Sequence, residues 1–255
     1  MAGVLKDKVA VITGGGRGLG REFALRYAQE GAKLFLPDIG LEQAQETAKE
    51  INAQGGSAAA MLCDISSEEA TKKMADEAVK KFGKIDILVN NAAIWAGLNI
   101  TPWDAWTVAD WERILKVNVI GTWLVCKAVV PYMTKAGKGK IINIASNVAQ
   151  VPAAQVFLPY ACSKGTIYTF THAMARALGD SGINVNAIAP GYTTTQASLG
   201  QRDSEGTFKL ATGEQSFKRR EDPHDLVGAA VFFASDASDF ITGQVLYVDG
   251  GTVML

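Results

Sequence analysis

The sequence predicts an α/β fold: a parallel β-sheet with helices on both faces. Apolar runs of strand length alternate with amphipathic segments of helical length along the whole chain. A glycine-rich turn at positions 14–20 follows the first apolar run and leads directly into the first helical pattern. Alternating strands and helices favour a doubly wound parallel sheet, which binds ligands at the carboxyl ends of its strands. We expect one domain spanning 1–255.

The individual elements follow from the spacing of apolar residues and from the residues that interrupt it. Period-two or continuous apolar runs predict seven strands, at 9–13, 33–36, 57–62, 85–89, 140–146, 182–189 and 244–248. Stripes of helical spacing predict the helices between them, from the glycine turn to 30 and at 41–52, 67–82, 110–133, 160–178 and 222–233. Gly31 is expected to end the first helix, and Pro37 the second strand.

The segment 192–220 does not fit this alternation. It is rich in Thr, Ser, Gly, Gln and charged residues, and its apolar side chains are scattered. Long segments of this kind inside a compact domain often form lids. We expect a lid that brings Leu199, Phe208 or Phe217 onto the substrate. A pair of permanently packed surface helices is the alternative.

Composition restricts the classes of partner. Lys and Arg total 25 and Asp and Glu 26, so the chain lacks the basic excess typical of proteins that bind nucleic acid or anionic membranes. No apolar run has the length of a membrane span, and the first residues have no apolar leader segment. Cys63, Cys126 and Cys162 form no C-x-x-C pair, which favours a reducing, cytoplasmic location.

The glycine turn has the composition of a pyrophosphate-binding loop. Glycines let backbone N–H groups approach an anion, and a helix that begins there adds its positive dipole end. The spacing is Thr-Gly-x-x-x-Gly-x-Gly and not the strict G-x-G-x-x-G pattern, so a purely structural turn is the alternative. The residues proposed to bind cofactor here are Gly14, Arg17, Gly18, Leu19 and Gly20.

Asp38 follows the second strand, twenty positions after Gly18. A dinucleotide-binding fold places an acidic residue at this distance to hydrogen-bond the adenosine ribose. A carboxylate there would repel a 2′-phosphate, which predicts NAD as the cofactor. Arg17 favours the opposite choice, because its guanidinium could pair with a 2′-phosphate. An exposed turn aspartate is the structural alternative.

Two further strand ends carry candidate cofactor contacts. Asp64 and Ile65 follow the third strand, where Asp64 could bind the adenine amino group or could instead begin the next helix. Asn91 and Ala92 follow the fourth strand, where small and amide side chains suit a chain that passes close to a cofactor.

The middle of the chain is strongly apolar. The predicted helix at 110–133 is apolar nearly all round, which indicates a subunit interface. Asn118 is a polar residue within it, and such residues need a hydrogen-bond partner or a function. Among the tryptophans before this helix, Trp95 is the one expected near a substrate.

Tyr160 and Lys164 are four residues apart on a predicted helix, so their side chains share a face. A cation near a phenol stabilises the phenolate and lowers the tyrosine pKa. Ser146 lies at the carboxyl end of the fifth strand, and Pro190 and Gly191 end the sixth.

In this order and at these separations, the residues resemble those of the classical short-chain dehydrogenase/reductase family, from near the first strand to the end of the chain. The resemblance implies a Rossmann fold, a nicotinamide cofactor and a homotetramer. It implies that Tyr160 is the general acid/base, that Ser146 orients the substrate oxygen, and that Lys164 lowers the Tyr160 pKa and binds the nicotinamide ribose.

The same resemblance implies roles for four more positions. Asn118 would hold a water in a proton relay, while Thr193 and Thr195 would lie by the nicotinamide carboxamide after Pro190 and Gly191. Ala93 departs from the family pattern, which often has glycine at this position.

The substrate is expected to be a small molecule, an apolar or aromatic secondary alcohol or its ketone. The residues proposed to contact it carry few charges: Trp95, Ser146, Val148, Val151, Tyr192 and Leu199. An NADP-dependent carbonyl or 3-oxoacyl-thioester reductase is the alternative enzyme. A nucleotide-sensing module without chemistry is the alternative class, since one fold supports several functions. No metal site is expected.

Overall fold

Seven parallel strands form one sheet in the computed structural model, which describes residues 3–254. Along the chain they are β1 (Val9–Ile12), β2 (Lys33–Asp38), β3 (Ser57–Leu62), β4 (Ile87–Asn90), β5 (Gly139–Ile144), β6 (Ile183–Pro190) and β7 (Val245–Val248). Their order in the sheet is β3-β2-β1-β4-β5-β6-β7. The predicted fold class, a doubly wound parallel sheet of the Rossmann type, is confirmed.

Helices cover both faces of the sheet. They are α1 (Gly18–Gln29), α2 (Leu41–Ala53), α3 (Glu68–Phe82), α4 (Val108–Leu115), α5 (Thr122–Ala136), α6 (Leu158–Leu178), α7 (Gln196–Leu199), α8 (Ser204–Glu214) and α9 (Pro223–Ala234). The predicted starts of two helices hold: Ser67 caps α3 and Asp222 caps α9, each with its side chain on a backbone N–H.

Two separate apolar cores bind these helices to the sheet. Phe23 and Tyr27 of α1 pack with α2 and α9 against one face, while Met74 of α3 and Val129 of α5 pack against the other. Tyr27 is fully buried, and its hydroxyl donates to the Ala230 carbonyl at 2.7 Å. A buried phenol keeps its stabilising effect only when its hydroxyl has such a partner.

The second strand continues two residues beyond the predicted end. Pro37 and Asp38 pair in register with Met61 and Leu62 of β3. Pro37 is tolerated because pairing between β1 and β2 ends at Phe35, so its missing N–H does not interrupt that ladder. The Pro37 carbonyl accepts the Gly14 N–H at 2.9 Å. Asp38 therefore lies at the carboxyl end of β2, where the sheet ends.

The predicted helix at 110–133 is one continuous helical run, Val108–Ala136, with a π-helical turn (Lys116–Gly121) between α4 and α5. By length and mean hydropathy this run could cross a membrane, but 44% of its most apolar window is buried inside the protein. It packs on α3 and α6, as a core helix does. Turns of π-helix occur frequently at functional sites, and this one contains Asn118.

The segment 192–220 is more ordered than its sequence suggests, because it contains α7 and α8. Phe208 is fully buried and its ring lies 4.4 Å from that of Tyr192. Leu210 and Phe217 are 73% and 70% exposed. The segment is thus anchored at Phe208 and leaves other apolar side chains uncovered.

Candidate active site

A cavity of about 780 Å³ opens along the carboxyl edge of the sheet. It spans the place where the strand order reverses, between β1 and β4, which is where doubly wound sheets bind ligands. A cavity of this size suits a dinucleotide or a drug-sized ligand. Within residues 3–254, no cluster of side chains capable of holding a metal ion is found.

The glycine turn forms one end of this cavity. Gly14, Arg17, Gly18 and Leu19 line it, and α1 begins at Gly18 with its amino end toward the cavity. Gly14 and Gly18 have φ angles of +67° and +55°, a conformation that strains other residues. The turn therefore depends on glycine at these two positions.

Gly20 has a different place from the one predicted. It is buried and does not line the cavity. A Cβ at this position would lie 2.1 Å from the Gly14 carbonyl oxygen and 2.5 Å from the Asn91 amide nitrogen. Gly20 is thus required for close packing of α1 under the turn.

Asp38 lines the cavity at the end of β2. Its Oδ2 accepts the Gly16 N–H at 2.9 Å, and its Oδ1 accepts the Gly40 N–H at 2.8 Å. The carboxylate is thereby fixed beside the glycine turn. Arg17 also lines the cavity but its side chain is exposed.

Asp64 and Ile65 line the cavity beyond β3. Asp64 Oδ1 accepts the Ser66 N–H at 2.9 Å, so it shapes the approach to α3 while facing the cavity. The cap of α3 is Ser67, so Asp64 precedes the helix, and its contact with adenine stays a prediction.

The chain after β4 is tied to the glycine turn. The Asn91 amide nitrogen donates to the carbonyls of Thr13 and Gly14, at 2.9 and 3.1 Å. The backbone N–H groups of Asn91 and Ala92 both donate to Thr13 Oγ1 at 3.0 Å. Asn91 and Ala92 line the cavity, and Asn91 uses its amide donor for this backbone support.

Pro190, Gly191, Thr193 and Thr195 line the cavity beyond β6. Thr195 caps α7 through the Ser198 N–H. Thr193 is buried, and its hydroxyl donates to a carboxylate that sequence reasoning did not identify, Glu221 Oε1, at 2.5 Å. The signal for Glu221 was weak, because it stands in a run of charged residues that resembles a solvated surface.

Tyr160, Ser146 and Lys164 meet at the centre of the cavity, and all three are buried. Lys164 Nζ donates to the Ile144 carbonyl at 2.6 Å and lies 5.7 Å from the centre of the Tyr160 ring. This bond ties α6 to the end of β5 and brings the phenol to the serine.

Two features of the protein act on the Tyr160 pKa in opposite directions. Burial raises the pKa of Tyr160, because it removes the water that would stabilise the phenolate, and hydrogen bonding to Ser146 opposes this effect. Burial also lowers the pKa of Lys164 to about 8. The predicted lowering of the Tyr160 pKa by Lys164 therefore has to overcome the effect of burial.

Asn118 lies outside the cavity lining. Its Oδ1 accepts the Ile94 N–H at 2.7 Å, and its Nδ2 donates to the Ile94 carbonyl at 3.3 Å and to Ser163 Oγ at 3.1 Å. The side chain thus holds the backbone beside Trp95. The predicted hydrogen-bond partner for this buried amide is found.

Trp95, Val148, Val151 and Tyr192 form an apolar wall beside Tyr160. The Trp95 ring lies 4.7 Å from that of Tyr160 and 6.2 Å from that of Tyr192. Leu199, predicted to contact substrate, does not line the cavity, and its side chain is 47% exposed. Leu210 of α8 lines the cavity instead, because the helix turns Leu199 outward.

Tyr168 is a second residue that the sequence interpretation missed. It lies four residues after Lys164 on α6, and its hydroxyl donates to the Ser146 carbonyl at 2.5 Å. The next side chain, Asn147, donates to Asp249 Oδ2 at 3.1 Å. The i, i+4, i+8 spacing of Tyr160, Lys164 and Tyr168 was a signal that could have revealed it.

Comparison with known proteins agrees with this geometry. Residues 14–253 match the family model described as enoyl-(acyl carrier protein) reductase. The chain is 37% identical to the 7α-hydroxysteroid dehydrogenase of Escherichia coli K12, over 98% of this chain and 95% of that one.

Two solved structures superpose closely. NAD⁺-bound xylitol dehydrogenase gives a TM-score of 0.89 at 32% identity, covering 97% of this chain and 99% of that chain. A gluconate 5-dehydrogenase from Burkholderia cenocepacia, in complex with NADP and tartrate, gives 0.90 at 35% identity, covering 97% and 96%.

Replacing Tyr168 by phenylalanine should destabilise the protein by roughly 1–3 kcal/mol, because it leaves the buried Ser146 carbonyl without its donor. The free energy of unfolding in urea measures this loss. Tyr132→Phe is the matched control, since its hydroxyl bonds an exposed carboxylate, Asp76, and its loss should change stability by less than about 0.5 kcal/mol. Equal unfolding free energies for the two variants would contradict the assignment.

Proposed function

Because the chain belongs to the classical short-chain dehydrogenase/reductase family, we propose that it interconverts an apolar or aromatic secondary alcohol and its ketone with NAD as cofactor. The chain is an oxidoreductase that transfers a hydride between a nicotinamide cofactor and a secondary alcohol or ketone. The observation that carries the proposal is the convergence of Ser146, Tyr160 and Lys164 in one cavity with the glycine turn.

The residues present fit a dinucleotide. The turn at Gly14 and Gly18 and the amino end of α1 would hold the pyrophosphate, where backbone N–H groups and the helix dipole favour an anion. Asp38 would bind the adenosine ribose, Asp64 and Ile65 would flank the adenine, and the 190–195 segment would border the nicotinamide. When bound, the nicotinamide would supply the acceptor or donor of the hydride.

Tyr160 is proposed as the general acid/base. In the oxidation direction its phenolate takes the proton from the alcohol oxygen as the hydride leaves the carbinol carbon. In the reverse direction its phenol protonates the ketone oxygen. Ser146 would hold that oxygen by a hydrogen bond, at the end of β5 where Tyr168 fixes its backbone.

Lys164 is proposed to assist this proton transfer electrostatically. Burial disfavours the phenolate, so positive charge must favour it if Tyr160 is to act as a base at neutral pH. The Lys164 ammonium is held by the Ile144 carbonyl on the same helix face as Tyr160. Its charge and that of an oxidised nicotinamide would together lower the Tyr160 pKa.

The substrate class is inferred from the cavity wall. The relatives differ, since one is named for a hydroxysteroid and others for xylitol and gluconate. The wall beside Tyr160 consists of Trp95, Val148, Val151 and Tyr192, which suits an apolar or aromatic substrate better than a polyol.

Two alternatives have weaker support. An NADP-dependent carbonyl or 3-oxoacyl-thioester reductase is favoured by Arg17 and by the NADP of one solved relative, but Arg17 is exposed while Asp38 is fixed by two backbone N–H groups. A nucleotide-sensing module without chemistry would not need Ser146, Tyr160 and Lys164 together.

We propose a homotetramer in a reducing cytoplasm. The α4–α5 run leaves Ile120 and Trp123 about half exposed, and Phe240 before β7 and Met254 after it are also exposed. Exposed apolar residues of this kind usually mark contacts, and a tetramer would cover them at its interfaces. The apolar chain end at 252–255 would find cover at a second interface, and its last residue, Leu255, lies outside the described residues. All three cysteines are free thiols, which suits a reducing compartment.

Tyr160→Phe should remove most turnover, roughly a hundredfold or more, because it deletes the oxygen that transfers the proton. Cofactor binding should stay nearly unchanged, and titration of the intrinsic fluorescence with NADH measures it. Lys164→Ala should impair both quantities. Turnover of Tyr160→Phe close to that of the intact protein would assign the proton transfer to another residue.

The intact protein should prefer NAD to NADP, as the ratio of kcat/KM for the two cofactors measures. Asp38→Ala should reduce this preference by about tenfold or more, since it removes the charge that repels a 2′-phosphate. Asp38→Asn separates charge from shape, because its amide can still accept a backbone N–H. A preference for NADP by the intact protein would refute the cofactor assignment.

The segment 192–220 should exchange its amide hydrogens faster without ligand than with NADH bound, because exposed Leu210 and Phe217 would gain cover on closure. Hydrogen exchange read by mass spectrometry measures this. Helix α9 serves as the internal control and should not change. Strong protection of the segment in both states would instead support permanently packed helices.

A further inference from the structure

Glu221 is a buried carboxylate that the proposed hydride transfer does not use. Its side chain is 4% exposed and lies behind the cavity wall formed by Gly191 and Thr193. Oε2 accepts the Gly191 N–H at 3.0 Å, and Oε1 accepts the Thr193 hydroxyl at 2.5 Å. Its backbone carbonyl accepts the Thr194 N–H at 2.8 Å. Gly191, Thr193 and Thr194 are therefore all hydrogen-bonded to Glu221.

Within the described residues, this carboxylate forms no ion pair with a cationic side chain. The two preceding arginines point elsewhere: Arg219 pairs with Asp225 at 2.6 Å, and Arg220 pairs with Glu205 at 2.5 Å. Arg219 still interacts electrostatically with Glu221, without a direct ion pair. The other charged groups that act on Glu221 are Asp249, beyond β7, and Asp225, in α9, and both are acidic. Burial, followed by these like charges, raises the pKa of Glu221 to about 7, although its two hydrogen bonds oppose the shift.

This residue destabilises the fold at neutral and alkaline pH. Its pKa in the folded protein lies above the ordinary value of 4.5, so the folded state holds its proton more tightly than the unfolded chain. Stability from this site is fully present below about pH 4.5 and is lost as pH rises through about 7. A group that lowers stability and yet is fully hydrogen-bonded to a cavity wall points to a functional role.

The packing shows what the carboxylate controls. A Cβ on Gly191 would lie 2.7 Å from Glu221 Oε2, so the glycine backbone and the carboxylate are in direct contact. Thr193 has one hydroxyl hydrogen, and the short bond to Oε1 takes it, leaving the Gly191 carbonyl at 3.4 Å as a poorer acceptor. The ionised carboxylate therefore fixes both the path of the backbone and the direction of the Thr193 hydroxyl.

We propose that Glu221 is a positioning residue that holds the 190–193 wall in the shape that binds the nicotinamide end of the cofactor, and that it does so best when ionised. This inference rests on the proposed function, since it assumes that the cavity binds a nicotinamide dinucleotide. The ionised carboxylate offers acceptor oxygens to both Gly191 and Thr193. The neutral acid carries a proton on one oxygen, which weakens one of the two bonds.

The test measures the Kd of NADH by fluorescence at pH 6 and pH 8, for the intact protein and for Glu221→Gln. The variant has the same shape and no charge. Its Kd should exceed that of the intact protein by about tenfold at pH 8, because two charge-assisted hydrogen bonds become neutral ones, and by much less at pH 6. The ratio of the two Kd values isolates Glu221 from Lys164, which titrates in both proteins.

Thermal unfolding gives the second measurement. Glu221→Gln should have a higher Tm than the intact protein at pH 8 and a similar Tm at pH 4.5, because it removes the cost of a buried charge. A merely structural residue would give a lower Tm when replaced. Glu205→Gln is the matched control: the same change at an exposed glutamate should leave the Kd and its pH dependence unchanged.

Equal Kd values for Glu221→Gln and the intact protein at both pH values would overturn the proposal, as would a ratio that does not depend on pH. Thr193→Val should reproduce part of the loss at pH 8, since it removes one of the two bonds. Failure of the proposed function itself is recognised separately, because the intact protein would then bind no NADH or would turn over no alcohol.

Discussion

The strands of a parallel sheet end in backbone groups that the ladder no longer pairs, and a ligand cavity at those ends keeps such groups away from bulk water. In this protein, side chains from neighbouring elements bind them. Lys164 donates to the last carbonyl of β5, and Tyr168 donates to the Ser146 carbonyl two residues later. Asn91 binds the glycine turn, and Asn118 binds Ile94. The site geometry depends on these bonds, so several of its residues have a structural and a chemical role at once.

Burial has opposite consequences for the ionisable groups of the site. It lowers the pKa of the Lys164 ammonium to about 8 and raises the pKa of the Tyr160 phenol, so the charged form of each group is disfavoured relative to water. It also raises the pKa of Glu221 to about 7. Such groups reduce stability, because charge is disfavoured where water is excluded. They also make the site responsive to added charge: a cationic ring entering the cavity shifts the Tyr160 proton equilibrium more strongly than it would in water.

The two ends of the cavity are constructed differently. At the end formed by the glycine turn, glycine backbone and the amino end of α1 lie beside a carboxylate, Asp38, that is fixed by the Gly16 N–H. At the other end, Trp95 and Tyr192 form an aromatic wall that is held by the 196–201 segment. Trp95 Nε1 donates to the Ser198 hydroxyl at 3.3 Å, and the Tyr192 hydroxyl donates to Gln201 Oε1 at 2.7 Å and lies 3.2 Å from the Ser198 carbonyl. The position of this aromatic wall is thereby linked to the 192–220 segment.

The sequence alone determined the fold class and most of the chemistry, because strand and helix periodicity, the glycine turn and the Tyr160–Lys164 spacing are local features. The sheet order, the hydrogen bond of Asn118 to Ile94 and the contacts of Gly20 were decided by tertiary structure, since each depends on a partner distant in the chain. Leu199 shows the limit of local reasoning: its apolar character was clear, but only the packing of α7 decided that it faces outward. Glu221 is the opposite case. It stands in a charged run that is typical of an exposed surface, but in the folded protein it is buried against Gly191, which follows β6.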